Sequence, residues 1–291
     1  TIGLSGISFN IKPKLYKVYK DKSSISLPDV MPEGGRSVLD NLYAWCSEQR
    51  NMIPSTITLK KLSILLYFSQ GINQSFTYPY EVYDFRTAPS AGALYPVNLY
   101  VVANRVEDVK PGIYYYHPKE KELIEVKSGS VTHILKKYAG HPYLYEPTAA
   151  TIVMTVTFDR SASKYLQRAY RYVNMDTGHA ALNLVLCAKS LGYDSPVTGR
   201  FDDQRMSELL DIDSRMEAAL LLIPLGLPGD RDQLIENEPL FQSVKIENQN
   251  LLKTHFFHFI HGNTGFARVD GVAPFPPPLP SPDSFKRRVL K

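Results

Sequence analysis

Residues 164 to 202 read KYLQRAYRYVNMDTGHAALNLVLCAKSLGYDSPVTGRFD, and this stretch decides the fold. From about Ser163 to Leu191 the apolar positions Leu166, Ala169, Tyr170, Val173, Ala180, Leu184 and Cys187 recur at helical spacing. They cover more than half of the helix circumference. A helix of that kind is buried in a core or an interface, since a surface helix keeps a narrower apolar stripe. Gly192 follows as the expected C-cap. Tyr193 to Thr198 (YDSPVT) then reads as a short strand ending in a turn.

On the N-terminal side, Ala149 to Phe158 (AATIVMTVTF) is a β-branched apolar run, the pattern of a buried strand. Before it, Gly112 to His117 (GIYYYH) and Glu122 to Val126 (ELIEV), joined by a charged turn, read as a β-hairpin. Val97 to Ala103 (VNLYVVA) is another strand. It is preceded by a loop of small residues, Arg86 to Pro96 (RTAPSAGALYP). Further back, Ser55-Thr56-Ile57-Thr58 places hydroxyl caps before the apolar run Leu59 to Tyr67. Gly71 closes that helix. A first helix is expected from Ser37 to about Gln49, after the irregular arm Leu27 to Gly35 (LPDVMPEGG). On the C-terminal side come a short helix, Asp203 to Leu210, and a strand, Ala218 to Leu225 (AALLLIPL). Helices and strands in this order predict an α+β fold, with helices flanking a mixed or mostly antiparallel sheet. There is no GxGxxG and no GxxxxGK[ST], which argues against a doubly wound nucleotide fold.

Three segments are expected. Residues 1–54 form an arm and helix, residues 55–230 the core, and residues 231–291 an extension. The extension carries the proline-rich Phe275 to Pro282 (FPPPLPSP). The stretch RVDGVAPFPPPLPSPD faintly echoes KVYKDKSSISLPDV near residue 17, as though each led into a module of one type. A tandem protein is therefore one expectation.

The 291 residues are 44% hydrophobic and 21% charged, ordinary for a globular chain. A net charge of +4, with cations scattered, points away from nucleic acid. No apolar run approaches the roughly 20 residues that span a bilayer, and the first residues do not read as a signal peptide. Cys46 and Cys187 stand apart from any CxxC pair, which argues against a zinc site or a disulfide scaffold and for a reducing cytoplasm. His255, His258 and His261 (HFFHFIH) invite a metal reading. No carboxylate stands ready to complete such a site, and the aromatics between them suit packing, so no metal is expected. His179, mid-helix, reads as a core histidine.

Three elements could carry chemistry. The Pro89 to Pro96 loop (PSAGALYP) lets backbone N–H groups approach a flat polar ligand, and equally suits a tight turn before a strand. Lys164 beside Tyr165 sets a cation against a phenol, which favours the phenolate and fits the Tyr to take a proton. Tyr170 and Tyr172 are packing residues or a wall for an aromatic ligand. The Gly192 to Gly199 turn offers amides to a ligand edge, or is an ordinary connection.

Taken in order, RTAPSAGALYPVNLYVV, PGIYYYHP, the stretch from Lys164 to Asp202, and LLIPLGLPGD resemble the SagB-type branch of the nitroreductase superfamily, from about Leu59 through Pro228. The resemblance implies a nitroreductase-like fold whose long helix is buried at a dimer interface. It also implies FMN bound between two protomers or two tandem domains, and oxidation of thiazoline or oxazoline rings to azoles in peptide natural products. Carried over, Ser90, Ala91, Gly92 and Ala93 meet the flavin, as do Pro196, Val197 and Thr198. An Arg-Arg-Ser that grips the phosphate in the family is replaced by Ser47-Glu48-Gln49-Arg50-Asn51, leaving Arg50, with Arg168 and Arg171 as substitutes. Lys164 and Tyr165 match the proposed catalytic pair. Tyr165 would remove an acidic ring proton while hydride passes to flavin N5. The implied partners are an azoline-containing peptide and a heterocyclase or cyclodehydratase. Two alternatives stay open: a family flavoenzyme using NAD(P)H on another substrate, and a non-catalytic partner or scaffold of a peptide-modifying complex.

Overall fold

A computed structural model describes residues 14–29, 37–46, 52–78 and 81–229. Arg50, the three spaced histidines and the proline-rich tail lie outside these residues.

The elements run β1 (Ser24–Ser26), α1 (Val38–Cys46), β2 (Met52–Ile53), α2 (Leu59–Gln70), β3 (Ile72–Tyr78), β4 (Glu81–Arg86), β5 (Val97–Ala103), β6 (Gly112–His117), β7 (Glu122–Ser128), α3 (Thr132–Tyr138), β8 (Ala150–Thr157), α4 (Phe158–Tyr165), α5 (Ala169–Ser190), α6 (Asp203–Leu210), β9 (Glu217–Leu225) and β10 (Leu227–Pro228). Six strands form one sheet in the order β1-β7-β6-β5-β8-β9, and every neighbouring pair is antiparallel. The fold is the α+β arrangement expected from the sequence, with helices flanking an antiparallel sheet.

The sheet is covered on both faces, which is why β5 and β8 are apolar along nearly their whole length. Val97, Leu99, Val101, Ile152, Met154 and Val156 pack with Leu62, Leu65 and Leu66 of α2 and with Val173, Ala180, Leu184 and Val185 of α5. Alternate residues of the same strands, Tyr100, Val102 and Val153, face Leu135 of α3 and Met206, Leu209 and Leu210 of α6. Period-two alternation thus feeds two cores from one strand. Each fully buried Leu, Ile or Val contributes about 1.5–3 kcal/mol.

Local signals set the helix ends. Thr58 caps α2, its hydroxyl accepting from Lys61 N at 3.1 Å. Gly192, at φ +85°, follows α5 and donates to Lys189 O. Three expectations need correction. The continuous helix from Ser163 to Leu191 is two helices, α4 and α5, separated by a 3-10 turn at Leu166–Arg168, because Leu166 takes φ 50° and ψ −134°. Tyr193 to Thr198 is no strand. It makes only isolated bridges from Asp194 to Gly226 and from Thr198 to Leu222, and Pro196 has no N–H to extend a ladder. His179 is exposed on α5 and not a core histidine. The β3–β4 hairpin and α3 carried no sequence expectation.

Residues before 55 are woven into the same body. β1 pairs with β7, α1 packs on α5, and β2 pairs with β10, where Met52 lies against Gly226. Among the described residues no helix is long and apolar enough to cross a membrane.

Candidate active site

The loop at residues 87–96 joins β4 to β5 and carries unusual backbone. Gly92 has φ +65°, and the non-glycine residues Ala93 and Tyr95 have φ +52° and +44°. Left-handed backbone at a non-glycine costs about 1–2 kcal/mol per residue and persists only where neighbours enforce it. Here the enforcing groups are visible. Ser90 donates its hydroxyl to Asp176 Oδ2 at 2.6 Å and accepts from Tyr95 N at 2.9 Å. Ala91 N donates to the other carboxylate oxygen at 3.3 Å. Tyr95 is buried. Its hydroxyl accepts from Arg86 N at 3.0 Å, and its carbonyl accepts from Arg160 Nη1 at 3.0 Å. Asp176 comes from α5 and is 5% exposed. Burial pushes its carboxyl above the usual range, partly opposed by the Ser90 and Ala91 hydrogen bonds and by His179 nearby.

The second half of the site comes from the α4–α5 break. α4 ends at Tyr165, Leu166 leaves helical conformation, and the side chains of Lys164 and Tyr165 reach the loop. A β-carbon on Gly92 would lie 2.6 Å from the Tyr165 hydroxyl oxygen and 3.0 Å from Lys164 Nζ. Phenol and ammonium therefore share one small volume above Gly92. Lys164 Nζ also lies 5.5 Å from the Tyr165 ring centre. The Tyr165 ring meets Tyr172 edge-on at 4.7 Å. Arg168 Nε donates to the Tyr172 hydroxyl at 3.2 Å, and its guanidinium lies 5.7 Å from that ring.

The structure thus brings together Ser90, Ala91, Gly92, Ala93, Lys164, Tyr165 and Arg168. Arg171 is half-buried one turn along α5 from Arg168. Pro196 is buried, and Val197 and Thr198 are half-buried, on a different part of the chain. Thr198 N and O bridge Leu222 on the outer edge of β9, and Thr198 Oγ1 accepts from Arg200 N at 3.1 Å. A buried ion pair between Lys189 and Asp194, with two hydrogen bonds between Asp194 and Gly226, holds that turn. Among the described residues no group of His, Cys, Asp or Glu is arranged to hold a metal ion.

Sequence reasoning passed over Asp176, Arg86 and Arg160. Asp176 could have been found as an acidic residue on the otherwise apolar face of a buried helix. Arg86 stands at the head of the small-residue loop, and Arg160 one helical turn before Lys164.

A model of the nitroreductase family matches residues 54–227. MJ1384 of Methanocaldococcus jannaschii, which carries the provisional name nitroreductase, is 31% identical over 206 residues, 71% of this chain and 97% of that one. The microcin B17-processing protein McbC of Escherichia coli is 27% identical over 69% of this chain and 77% of its own. A crystal structure of an Anabaena variabilis protein, likewise provisionally named a nitroreductase, matches with a TM-score of 0.61 at 32% identity. That match covers 74% of this chain but only 40% of that one. The chain belongs to the nitroreductase family of oxidoreductases, and the likeness to McbC sets it with the SagB-type branch.

Proposed function

We propose that this chain is an FMN-dependent dehydrogenase that oxidises azoline rings to azoles in a modified peptide. The observation that carries the reading is the convergence of Lys164 and Tyr165 on Gly92. A general base needs a reach of about 3 Å to the proton it takes, and here a phenol and an ammonium are held together against the exposed backbone of the loop at Gly92. The kinship with McbC, a protein named for processing microcin B17, supports a substrate of that kind.

The residues fit such a cofactor. Gly92 and Ala93 present small, partly exposed surface. Ser90 Oγ and Ala91 N are already engaged by Asp176, so these two support the loop and leave the contact to their neighbours. Arg168 and Arg171 supply cations for a phosphate, with Arg50 a further candidate, and Pro196, Val197 and Thr198 supply a second wall. FMN, when bound, supplies the acceptor for the hydride that the ring gives up. Tyr165 takes the acidic ring proton. Lys164 sets its ammonium 5.5 Å from the Tyr165 ring centre, and Tyr172 holds that ring edge-on.

The Thr198 turn makes its backbone hydrogen bonds with Leu222 of β9, and a site completed by a second copy or a tandem module is part of the proposal. Leu39 and Tyr43 of α1, and Tyr170, Met175 and Leu182 of α5, are exposed apolar residues on two helices that pack together. These residues support a covered interface there, and a two-fold dimer is the proposed state. A heterocyclase that makes the azoline is the proposed further partner.

The test is the visible spectrum of the purified protein with its heat-released cofactor identified, followed by assay on a thiazoline peptide. Stoichiometric FMN and a mass loss of two hydrogens per ring, abolished in Tyr165→Phe, are expected. A colourless protein that takes up no FMN overturns the reading in favour of a scaffold, and rapid flavin bleaching by NADPH without azole formation favours a different reductase.

A further inference from the structure

Four consecutive residues, Lys14 to Lys17, are tied to the elements that carry the candidate site. The carbonyl of Lys14 accepts from Arg160 Nε at 3.0 Å. The carbonyl of Leu15 accepts from Arg86 Nη2 at 3.4 Å. Tyr16 donates its hydroxyl to Asp84 Oδ2 at 2.8 Å and stacks on His117, ring centres 5.2 Å apart. Lys17 donates its backbone N–H to the Tyr115 hydroxyl at 3.4 Å, and its ammonium pairs with Glu217 Oε2 at 2.7 Å and reaches the Tyr100 hydroxyl.

The two arginines at the centre of this clamp lead into the two halves of the site. Arg86 is the last residue of β4 and heads the 87–96 loop. Its guanidinium lies against the rings of Tyr16 and Tyr95, at 5.5 Å and 5.0 Å, and donates to Gln70 Oε1 at 2.8 Å. Arg160 sits in the first turn of α4, four residues before Lys164. Besides Lys14 O, it donates to Tyr95 O at 3.0 Å and Asn98 Oδ1 at 2.9 Å. They are 6% and 2% exposed. Burying a guanidinium costs several kcal/mol in desolvation, which hydrogen bonds to its donors offset; among the described residues both Arg86 Nη atoms are met, while Arg86 Nε has no partner. Burial pulls both below the usual arginine range. Consecutive carbonyls of one segment, which bends at Leu15 and Tyr16, therefore satisfy one donor on each side of the site, and Tyr95 links the two arginines within it.

We propose that residues 14–17 are a strap that sets the Lys164–Tyr165 pair over Gly92 through Arg86 and Arg160, with Arg160 as a positioning residue. This rests on the pair being the reactive centre of the proposed function. Among the described residues no hydrogen bond, ion pair or ring contact joins the strap to Lys164 or Tyr165. It acts through α4, whose first turn it pins to the end of the loop. A small displacement of a reacting group lowers turnover on the order of 10–100-fold.

The test uses the full chain with 3-fluorotyrosine at position 165, in wild type, Arg160→Gln, Arg160→Lys and Lys17→Met. The fluorine resonance of Tyr165 and its titration with pH are read together with turnover per bound flavin on a thiazoline peptide. In folded Arg160→Gln and Lys17→Met protein the resonance and its titration are expected to move. Turnover should fall about tenfold or more at unchanged KM, with partial rescue in Arg160→Lys. A merely structural role would lower the melting temperature and leave the resonance, its titration and turnover per flavin in place, and that result overturns the proposal. Where Arg160→Gln fails to fold, Lys17→Met decides alone. Should the wild type oxidise no thiazoline, the proposed function fails, while the fluorine resonance still reports whether the strap positions Tyr165.

Discussion

The hydroxyl of Tyr165 stands so close over Gly92 that a β-carbon on residue 92 would lie 2.6 Å from it, with Lys164 Nζ 3.0 Å away. This glycine is required twice over, by its φ of +65° and by the two polar heads above it. Gly92→Ala is therefore expected to cost about 1–2 kcal/mol in stability from backbone strain alone. It should also push the pair off the loop. The check is a thermal melt alongside turnover per bound flavin. Full turnover in folded Gly92→Ala protein would mean that the pair does not work against this loop.

Leu166 carries the opposite case, a left-handed backbone without a glycine. At φ 50° and ψ −134° it breaks α4 from α5 while its side chain is 67% exposed. Leu166→Gly removes strain of about 1–2 kcal/mol and adds about 0.5–1 kcal/mol of chain entropy cost, so the net is zero to slightly stabilising. Turnover should fall, because the turn that aims Tyr165 is no longer forced. Urea unfolding at unchanged slope measures the first effect. A loss of stability above about 1 kcal/mol would show that Leu166 rests there without strain.

How far the sequence revealed this site follows from the range of each interaction. The β5 and β8 strands and the Thr58 cap were legible because their patterns are local. The identity of the pair and of the loop was legible in LysTyr and PSAGALYP. Their contact was not, since it depends on the break at Leu166, where a leucine holds a conformation that periodicity assigns to unbroken helix. The short strand expected at Tyr193 to Thr198 failed for a related reason. Its two bridges reach Leu222 of β9 and Gly226 just past the end of that strand, and the proline between them cannot donate. Asp176, Arg86 and Arg160 stayed hidden because decisive partners are distant in sequence: Ser90 is 86 residues from Asp176, Leu15 is 71 from Arg86, and Asn98 and Lys14 are 62 and 146 from Arg160.

Cys187 gives a pH prediction with a definite sign. Burial pushes its thiol up to about 12 from 9.0. The fold thus prefers the neutral thiol, and this contribution is whole below pH 9.0, then lost as pH rises toward about 12. Between those values the slope is about 1.4 kcal/mol per pH unit for the one proton. Buried tyrosines titrate in the same alkaline range, so the difference between wild type and Cys187→Ala isolates the thiol. Iodoacetamide at pH 8, followed by peptide mapping, is expected to leave Cys187 unmodified in the folded protein and label it in urea. Rapid labelling of the folded state would contradict the burial.

Asp176 tests what holds the loop. Its two carboxylate oxygens accept from Ser90 and Ala91, and Ser90 in turn accepts from Tyr95 N, so one side chain of α5 fixes three residues around Gly92. Asp176→Ala leaves a hydroxyl and an amide donor without their acceptor, a loss of about 1–3 kcal/mol. Asp176→Asn keeps one acceptor oxygen and has no charge to bury, so its cost should be smaller. The acid side supplies the sign. Because burial raises this carboxyl in the folded state, its contribution to stability is full below the unfolded value of 3.8 and is lost as pH rises through the folded value. The stability gap between Asp176→Asn and wild type should therefore shift in favour of the variant as pH climbs from 3.8 into that range, read by denaturant midpoints at several pH values. A gap that stays constant across the range would mean that the Asp176 proton is held equally in the folded and unfolded chains, and that the Ser90 and Ala91 hydrogen bonds fully offset its burial.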